Sequence, residues 1–560
     1  MQDTGQLNLD WSAALIGGLA DAGVREFVLS PGARSTPLTL AALRHPRLRC
    51  TVILDERAAA WFALGRVKAD GAPVALVCTS GTAVANWLPA VVEANQAALP
   101  LVLLAADRPP ELHGWGANQT IAQADLFAGQ VRATHAPGAP FPGFAPDWLR
   151  QLAARAVADS RWPLPGPVQL NLAFREPLLP AAAHIAFPDA EPLACAAPTA
   201  QPDAAAVRVF AAALSTGRGA IVCGEGCAGD ADPAEFARAV TELAARLACP
   251  ILAEPLSGLR FGAHDRTQVC HRHDLWLRDE TRAAALRPDW VLRFGAFPVT
   301  RMLQRFVAGA ATLLVEPHGR WPDPLHRTQQ LLRADPLAAC RALFGGELVA
   351  ADAGWLAAFA EAEAAAEGWL HARPQPPEAA LFAGLCRALP AGTHFFCGNS
   401  LPIRDLAAYS GSGEKAIAFF ANRGASGIDG NLATAAGLAA SGPTVAVVGD
   451  LTAQHDLGSL ALAAGRPLAV IVINNGGGGI FDLLPPAALP EFEAGWLTPQ
   501  RLDFAHTAAA FGLAYRRCDD PAAAIDAAGA ALAAGEPRLI EFVVDRAASL
   551  ALRRAIPPGG

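Results

Sequence analysis

Short stretches made almost entirely of apolar residues recur along the chain, and each is followed by a longer stretch with helical spacing. In the N-terminal part these apolar stretches are REFVLS, CTVILD, PVALVCTS and LPLVLLAAD. A strand that is apolar on both faces is buried on both faces, which is typical of a parallel sheet covered by helices. Parallel strands need a crossover connection, so the alternation predicts an α/β fold.

The alternation occurs three times, which predicts three parallel-sheet α/β domains in series. The second group of strands is GAIVCGEG, CPILAEP, DWVLRFG and ATLLVEP, and the third is GTHFFCGNS, TVAVVGD, LAVIVINN and RLIEFVV. A stretch rich in proline and alanine, residues 178–205, reads as a linker, and another interruption falls near HARPQPPEAA. We expect the domains at residues 1–185, 200–350 and 372–560. A chain of 560 residues is too long for one core.

Composition argues against several classes of protein. The net charge is −8 and the chain has no basic segment, so nucleic acid is not an expected partner. The eleven cysteines lie scattered, several of them within apolar runs, as expected for reduced thiols in a cytosolic protein. The N-terminus lacks a signal-peptide pattern, and no apolar run approaches the roughly 20 residues of a membrane span. These features predict a cytoplasmic protein without a membrane partner.

Polar residues follow two strands of the third group. Gly449 and Asp450 end the stretch TVAVVGD, and Asn474 and Asn475 end the next stretch, before four glycines that begin at Gly476. Ligands of open α/β sheets bind outside the carboxyl ends of the strands, and glycine allows the backbone to approach a phosphate. A carboxylate, an amide oxygen and a backbone carbonyl are oxygen ligands suited to Mg²⁺. Each motif alone is also an ordinary turn signal, but together they favour a metal site.

This motif pair resembles the diphosphate and magnesium motif of thiamine-diphosphate enzymes, whose three α/β domains would account for essentially the whole chain. Six further blocks are similar to the family of 2-succinyl-5-enolpyruvyl-6-hydroxy-3-cyclohexene-1-carboxylate synthases of menaquinone biosynthesis. They are SPGARSTPLTLAA, LDERAAAWFALG, TSGTAVANWLPAVVEA, ADRPPELHGWGANQTIAQADLF, GNSLPIRDL and ANRGASGIDGNLATAAGLA. Three residues depart from the usual pattern: Leu451 replaces a glycine, Ala33 replaces a serine, and Arg301 stands where the family often has a lysine.

The resemblance implies thiamine diphosphate as the cofactor, with Mg²⁺ or alternatively Mn²⁺. It assigns Glu56 as the catalytic residue that hydrogen-bonds the cofactor's pyrimidine ring, and Ile428 as the apolar wedge between the two rings. Without the resemblance, Glu56 would be a first-turn glutamate favoured by the helix dipole, and Ile428 an apolar anchor of a loop. The metal ligands would be Asp450, Asn475 and Gly477. The residues implied at the diphosphate end are Gly449, Asp450, Leu451, Thr452, Asn475 and Gly477.

The resemblance also implies the reaction. It is a decarboxylation of 2-oxoglutarate followed by conjugate addition of the succinyl carbanion equivalent to isochorismate, which makes the protein a transferase. Both substrates carry carboxylates, which the planar guanidinium of arginine binds better than a lysine ammonium. An arginine in a loop is nevertheless more often solvated than functional. The implied substrate residues are Ser400, Arg404 and Arg423 for the ketoacid, and Arg34, Arg108, Gln119 and Arg301 for isochorismate.

In this family one cofactor is held by the first domain of one chain and the third domain of its partner. A homodimer, or a tetramer built from dimers, is therefore implied.

Three alternative functions remain open. Another thiamine-diphosphate carboligase or a 2-ketoacid decarboxylase would share Glu56, Asp450 and Asn475 but would not need so many arginines. A nucleotide-binding oxidoreductase would use the glycine loop CGEG of the central domain, where we expect no flavin. A non-catalytic α/β assembly protein is the remaining alternative.

Overall fold

The structure is a computed structural model that describes residues 3–187, 191, 193 and 195–555. The linker expected at 178–205 has no helix or strand in its described part before Ala204, and its residues 188–190, 192 and 194 lie outside the described residues. Residues 1–2 and 556–560, at the ends of the expected first and third domains, also lie outside them. None of the helices in the described part combines the length and the apolar character required to span a membrane.

The described chain contains three six-stranded sheets, and every strand pair in them is parallel, which confirms the α/β fold. Their strand orders are β2-β1-β3-β4-β6-β5, β12-β11-β10-β7-β8-β9 and β14-β13-β15-β16-β18-β17. The strands are β1 Glu26–Leu29, β2 Arg49–Val52, β3 Val74–Cys78, β4 Leu101–Asp107, β5 Thr134–His135, β6 Val168–Ala173, β7 Gly219–Cys223, β8 Ile251–Ala253, β9 Val269–Cys270, β10 Trp290–Phe294, β11 Ala311–Val315, β12 Thr328–Leu332, β13 Thr393–Cys397, β14 Ile417–Phe420, β15 Thr444–Gly449, β16 Leu468–Asn474, β17 Ala514–Cys518 and β18 Arg538–Val543.

Except between β4 and β5, β8 and β9, and β11 and β12, α-helices connect successive strands of the described chain and bury the apolar faces of each sheet. Central strands such as β3 and β4 are buried along their whole length, as the continuous apolar runs predict. The helices are α1 Thr4–Asp21, α2 Thr36–Arg44, α3 Glu56–Asp70, α4 Thr82–Ala85, α5 Leu88–Ala97, α6 Pro146–Arg161, α7 Ala204–Leu214, α8 Pro233–Leu247, α9 His273–Trp276, α10 Glu280–Ala285, α11 Arg301–Ala308, α12 Pro336–Phe344, α13 Ala353–Ala372, α14 Pro377–Ala388, α15 Leu401–Tyr409, α16 Asn431–Ala439, α17 Asp450–His455, α18 Phe504–Ala510, α19 Pro521–Ala534 and α20 Arg546–Arg554.

The order of the third sheet places the carboxyl ends of β13, β15 and β16 side by side. The chain leaves β13 for β14 on one side and returns to β15 and β16 on the other, so the direction of winding reverses between β13 and β15. Crevices at such reversals are the usual ligand sites of open α/β sheets. Ser400 and Asn475 lie in the turns after β13 and β16, and Asp450 begins helix α17 directly after β15.

By their packing, the described residues divide into two compact units. The first takes in the described part of Met1–Pro198 together with Asn422–Ser441 and His455–Arg466. The second takes in the described part of Thr199–Ala421, Gly442–Gln454 and Pro467–Gly560. The first sheet therefore belongs to the first unit, and the other two sheets belong to the second.

Two glycines allow helices α3 and α16 of the first unit to pack backbone against backbone. A Cβ atom at Gly65 would lie 2.1 Å from the carbonyl oxygen of Thr434, and one at Gly437 would lie 2.2 Å from that of Phe62. Neither backbone oxygen can move aside as the end of a flexible side chain would. This contact fixes α16, and with it the loop that precedes it, against the helix that begins at Glu56.

Replacement of Gly437 by alanine should therefore destabilise the protein, although alanine is the better helix former by about 1 kcal/mol. Overpacking typically costs about 1–3 kcal/mol, and a net cost of about 1 kcal/mol in a unit of this size should lower the thermal midpoint in calorimetry by about 2–4 °C. The matched control is Gly529→Ala in α19, where a Cβ would meet no atom within 4 Å. Equal midpoints for the two variants would contradict the close packing of α3 and α16.

Candidate active site

Asp450 lies at the carboxyl end of β15 and is 7% exposed. Its Oδ1 accepts a hydrogen bond from the Leu451 amide at 2.8 Å, and its Oδ2 accepts one from the Gly477 amide at 2.7 Å. Burial raises the pKa of Asp450 to about 6, against the opposing effect of these backbone bonds. The carboxylate therefore joins the ends of β15 and β16, in a position where a cation would compensate its desolvation.

The two asparagines after β16 have different roles. The side chain of Asn474 is engaged on both sides: its Nδ2 donates to Glu541 Oε1 at 2.7 Å, and its Oδ1 accepts from the Gly476 amide at 3.2 Å. The Oδ1 atom of Asn475 is buried and has no hydrogen-bond partner. Buried polar atoms are nearly always satisfied, so this amide oxygen is suited to a ligand that accepts its lone pair.

Glycine is required in the loop after Asn475. Gly477 has a φ of +136°, and a Cβ there would lie 2.3 Å from the carbonyl oxygen of Leu497. The Gly477 carbonyl accepts a hydrogen bond from the Gly479 amide at 2.8 Å, which leaves the second lone pair of this oxygen free for a metal.

At the end of β15, a Cβ on Gly449 would meet no atom within 4 Å, so this strand end borders open space. Next along the chain, Leu451 is half-buried and Thr452 is buried.

These donors fit a hard divalent cation. One buried carboxylate, one buried amide oxygen without a partner and one backbone carbonyl come from two neighbouring strand ends of the same sheet. Mg²⁺ typically takes one or two protein carboxylates and fills its remaining positions with water and substrate phosphates. The open space beside Gly449 is compatible with a phosphate at this end of the sheet.

Ser400 and Arg404 form a hydrogen-bonded turn after β13, the strand next to β15 in the same sheet. Ser400 has φ +73° and ψ −126°, a conformation that is strained for a residue with a side chain and is most frequent at functional sites. Arg404 Nη1 donates to the Ser400 carbonyl at 2.6 Å, and the Arg404 residue is exposed. Arg301 is also exposed, at the start of α11 in the central part of the same unit.

Glu56 begins helix α3 in the first unit. The side chain of Asp55 caps this helix by accepting bonds from the amides of Arg57 at 2.9 Å and Ala58 at 3.3 Å. Glu56 is half-buried, and its charge adds to the effect of burial in raising the pKa of the Cys78 thiol at the end of β3. Because Asp55 satisfies the helix terminus, the carboxylate of Glu56 is not needed as a cap.

In the first unit, Arg108 and Gln119 both contact Ser80, a serine that was not among the predicted site residues, and Arg34 lies near enough for its charge to affect Arg108. Arg108 Nη1 donates to the Ser80 hydroxyl, and Gln119 Nε2 donates to the Ser80 carbonyl at 3.4 Å. Burial first, and then the neighbouring charge of Arg34, lower the pKa of Arg108. Two arginines of like charge, one of them buried, form a site suited to an anion. Ser80 stands within the quoted block TSGT, but nothing in that block distinguishes its hydroxyl.

Arg34 itself is tied to the protein on one side. Its Nη1 donates to the Phe174 carbonyl at 3.0 Å, and its Nη2 donates to Glu176 Oε1 at 2.7 Å. Its Nε is buried without a hydrogen-bond partner. The neighbouring Ser35 is fully buried and donates to the Gly32 carbonyl at 3.0 Å, so its hydroxyl is used within the turn. Ser35 therefore does not offer a hydroxyl in place of the serine that Ala33 replaces.

The loop that carries Arg423 and Ile428 belongs to the first unit, whereas Ser400 and Arg404 belong to the second. The buried carboxylate of Glu93 accepts the amides of Gly424 at 2.7 Å and Ala425 at 2.6 Å, which fixes the start of this loop. At its other end, Asn431 Nδ2 donates to the carbonyls of residues 427 and 429 at 3.3 and 2.9 Å. Ile428 is thus half-buried on a well-anchored loop.

Comparison with protein families finds two matches in this chain. The model described as "Thiamine pyrophosphate enzyme, N-terminal TPP binding domain" matches residues 9–126. The model described as "Thiamine pyrophosphate enzyme, C-terminal TPP binding domain" matches residues 410–542. Glu56 lies within the first match, and Asp450 and Asn475 lie within the second.

Curated relatives match nearly the whole chain. A protein of Dechloromonas aromatica (strain RCB) is 49% identical over 97% of this chain and 99% of its own length. A Geobacillus kaustophilus protein is 42% identical over 90% of this chain and 89% of its own. A Haloarcula marismortui protein is 40% identical over 92% of this chain and 91% of its own. All three are named 2-succinyl-5-enolpyruvyl-6-hydroxy-3-cyclohexene-1-carboxylate synthase.

The raised pKa of Asp450 predicts a stability effect that depends on the pH and on bound metal. Because this pKa is higher in the folded than in the unfolded chain, the metal-free protein loses stability as the pH rises from about 4 to about 6. At pH 8, metal-free Asp450→Asn should therefore escape a desolvation cost of up to about 3 kcal/mol. Its single amide oxygen can accept from only one of the Leu451 and Gly477 amides, which takes back about 1–3 kcal/mol at every pH. Adding Mg²⁺ and thiamine diphosphate should raise the thermal midpoint of the wild type more than that of the variant, because an amide is a poorer ligand than a carboxylate.

Calorimetry at pH 8 and pH 5.5 measures both effects. The stability of the metal-free variant relative to the metal-free wild type should be lower at pH 5.5, where Asp450 is largely protonated. A stability difference between variant and wild type that is the same at pH 8 and pH 5.5 would contradict the desolvation of this carboxylate.

Proposed function

This chain belongs to the family of 2-succinyl-5-enolpyruvyl-6-hydroxy-3-cyclohexene-1-carboxylate synthases, and we propose that it joins a succinyl group from 2-oxoglutarate to isochorismate, with release of CO₂. The observation that carries the proposal is identity of 40–49% to proteins of that name over nearly the full chain. Thiamine-pyrophosphate-binding domains at both ends make it a thiamine-diphosphate enzyme. The arginines that we assign to the substrate carboxylates are compatible with the same reaction.

Thiamine diphosphate, when bound, supplies the nucleophilic carbon and the electron sink that decarboxylation of a 2-ketoacid requires. We propose that Glu56 hydrogen-bonds the pyrimidine ring and thereby controls its protonation. Glu56 lies half-buried at a helix start that Asp55 already caps. Ile428, held on its anchored loop, would fix the bend of the cofactor. At the other end, Asp450, Asn475 and the Gly477 carbonyl would hold Mg²⁺, while residues 449–452 would border the diphosphate.

The substrate carboxylates are assigned to two groups of residues. Ser400, Arg404 and Arg423 would orient 2-oxoglutarate, with Arg404 hydrogen-bonded to the strained Ser400 turn. Arg34, Arg108 and Gln119 would bind isochorismate beside Ser80, where an anionic group would relieve the repulsion between the two arginines. Arg301, exposed at the start of α11, would contact isochorismate from the central domain.

We also propose that the chain has three domains, at residues 1–185, 200–350 and 372–560.

The reaction and the arginine assignments can be tested in one assay, by following isochorismate consumption and CO₂ release with each component omitted in turn. Arg404→Ala should raise the KM for 2-oxoglutarate about 10- to 100-fold, and Arg108→Ala should do so for isochorismate, since a charge-assisted hydrogen bond contributes about 1.5–3 kcal/mol. Arg341→Ala is the control, because its exposed ion pair with Glu235 joins helices α12 and α8 and involves none of the proposed site residues. CO₂ release with isochorismate left unconsumed would indicate a decarboxylase or a carboligase with another acceptor.

We also propose that the enzyme is a homodimer, or a tetramer of dimers, whose partner chains share each site. Glu56 and Asp450 lie in different compact units, and the family resemblance assigns them to one cofactor held by two chains. A mixture of inactive Glu56→Ala and Asp450→Ala chains should then recover about a quarter of wild-type activity, because half of the mixed dimers' sites combine two intact residues. No recovery despite mixed dimers, measured with differently tagged chains, would contradict site sharing.

A further inference from the structure

The last described helix, α20, carries arginines that contact the loop following the metal residues. Arg546 Nη1 donates to both carboxylate oxygens of Asp482, at 2.8 and 3.0 Å. Arg554 Nη2 donates to the main-chain carbonyl of Asp482 at 3.1 Å. The side chain of Asp482 is only 9% exposed, whereas that of Arg546 is 35% exposed. A carboxylate buried to this extent depends on its arginine partner.

Asp482 belongs to the 3-10 turn Gly479–Leu483, which begins two residues after Gly477. The Gly479 amide donates to the Gly477 carbonyl, so the turn is bonded directly to one of the proposed metal ligands. A Cβ at Gly479 would lie 2.6 Å from Asn475 Nδ2, so the same turn supports the amide of a second ligand. A small cavity of about 10 Å³ is lined by Asn475, Gly479, Asp482 and Arg546, among others. The Asp482 ion pair and the Asn475 side chain therefore border the same cavity.

Helix α20 is itself anchored in the second unit. Arg553 forms ion pairs with the buried carboxylates of Asp405, at 2.8 Å from its Nη2, and Glu378, at 3.0 Å. Ser549 donates to the same glutamate at 2.9 Å. The side chains of Asp405, Glu378 and Ser549 are almost completely buried. Buried ion pairs therefore hold α20 in place, and Arg546 extends from this helix to the turn Gly479–Leu483.

From these contacts we infer that Arg546 is a positioning residue for the metal site: its ion pair with Asp482 holds the turn 479–483 so that Asn475 and Gly477 face Asp450. The inference rests on the proposed function, because it assumes a divalent cation at those residues. Loss of Arg546 should weaken metal binding, because the turn that carries the ligands is no longer held in place. Since Arg546 contacts neither the substrate nor the metal, the KM for 2-oxoglutarate at saturating metal should stay near the wild-type value.

The test is Arg546→Gln, with Arg333→Gln as a matched control. Arg333 pairs with Glu316 at 2.7 Å on the central sheet, and the two side chains are 41% and 10% exposed, close to the values for Arg546 and Asp482. Full-length, metal-free protein is titrated with Mn²⁺ at saturating thiamine diphosphate, and the EPR signal of free Mn²⁺ gives the bound fraction. Metal-free thermal midpoints are measured in parallel.

We expect Arg546→Gln to raise the Kd for Mn²⁺ about tenfold or more, and Arg333→Gln to leave it within twofold, although both variants lose similar thermal stability. Arg546→Lys, which retains the charge and is the milder change, should raise the Kd about threefold. An unchanged Kd in both Arg546 variants, or an equal rise in the control, would overturn the inference. If the wild type itself binds no Mn²⁺ in the presence of thiamine diphosphate, the proposed function fails and this inference with it.

Discussion

The burial of Asp450 is the constraint on which the rest of the site depends. A carboxylate that is 7% exposed loses most of its hydration, and two backbone amides offset only part of that loss, since burial still raises its pKa to about 6. The fold tolerates this cost because the sheet topology places the end of β16 beside the end of β15. An unpartnered amide oxygen and a carbonyl then complete a set of donors suited to Mg²⁺.

The same dependence extends outward through the second unit. Gly477, at a φ of +136°, turns its amide to Asp450, and the turn after it is fixed by Asp482 and Arg546. Arg553 ties the helix of Arg546 to Asp405, the neighbour of the proposed substrate residue Arg404. The first unit is organised in a similar way: the close contact of α3 with α16 and the buried Glu93 fix the loop of Ile428. In both units, buried polar groups determine the conformation of loops at strand ends.

Much of this could be predicted from the sequence, for physical reasons that differ between elements. Strands buried on both faces are continuously apolar, so the three parallel sheets were visible in the pattern of runs such as TVAVVGD. The choice of Asn475 over Asn474 needed the structure for support, because only the contact with Glu541 shows that Asn474 is engaged. The role of Ser80 depends on two loops that meet only in the folded chain. The pair of Asp482 and Arg546 lies 64 residues apart without any motif, so no sequence pattern indicated it.

The most direct test of this account is to locate the metal. A crystal structure of the enzyme with thiamine diphosphate and Mn²⁺, with an anomalous difference map collected for manganese, shows the position of the ion independently of any activity. We predict a single strong peak per chain at about 2.0–2.3 Å from a carboxylate oxygen of Asp450, Asn475 Oδ1 and the Gly477 carbonyl. A peak coordinated by other residues, or no peak with the cofactor bound, would contradict the assignment of these three ligands.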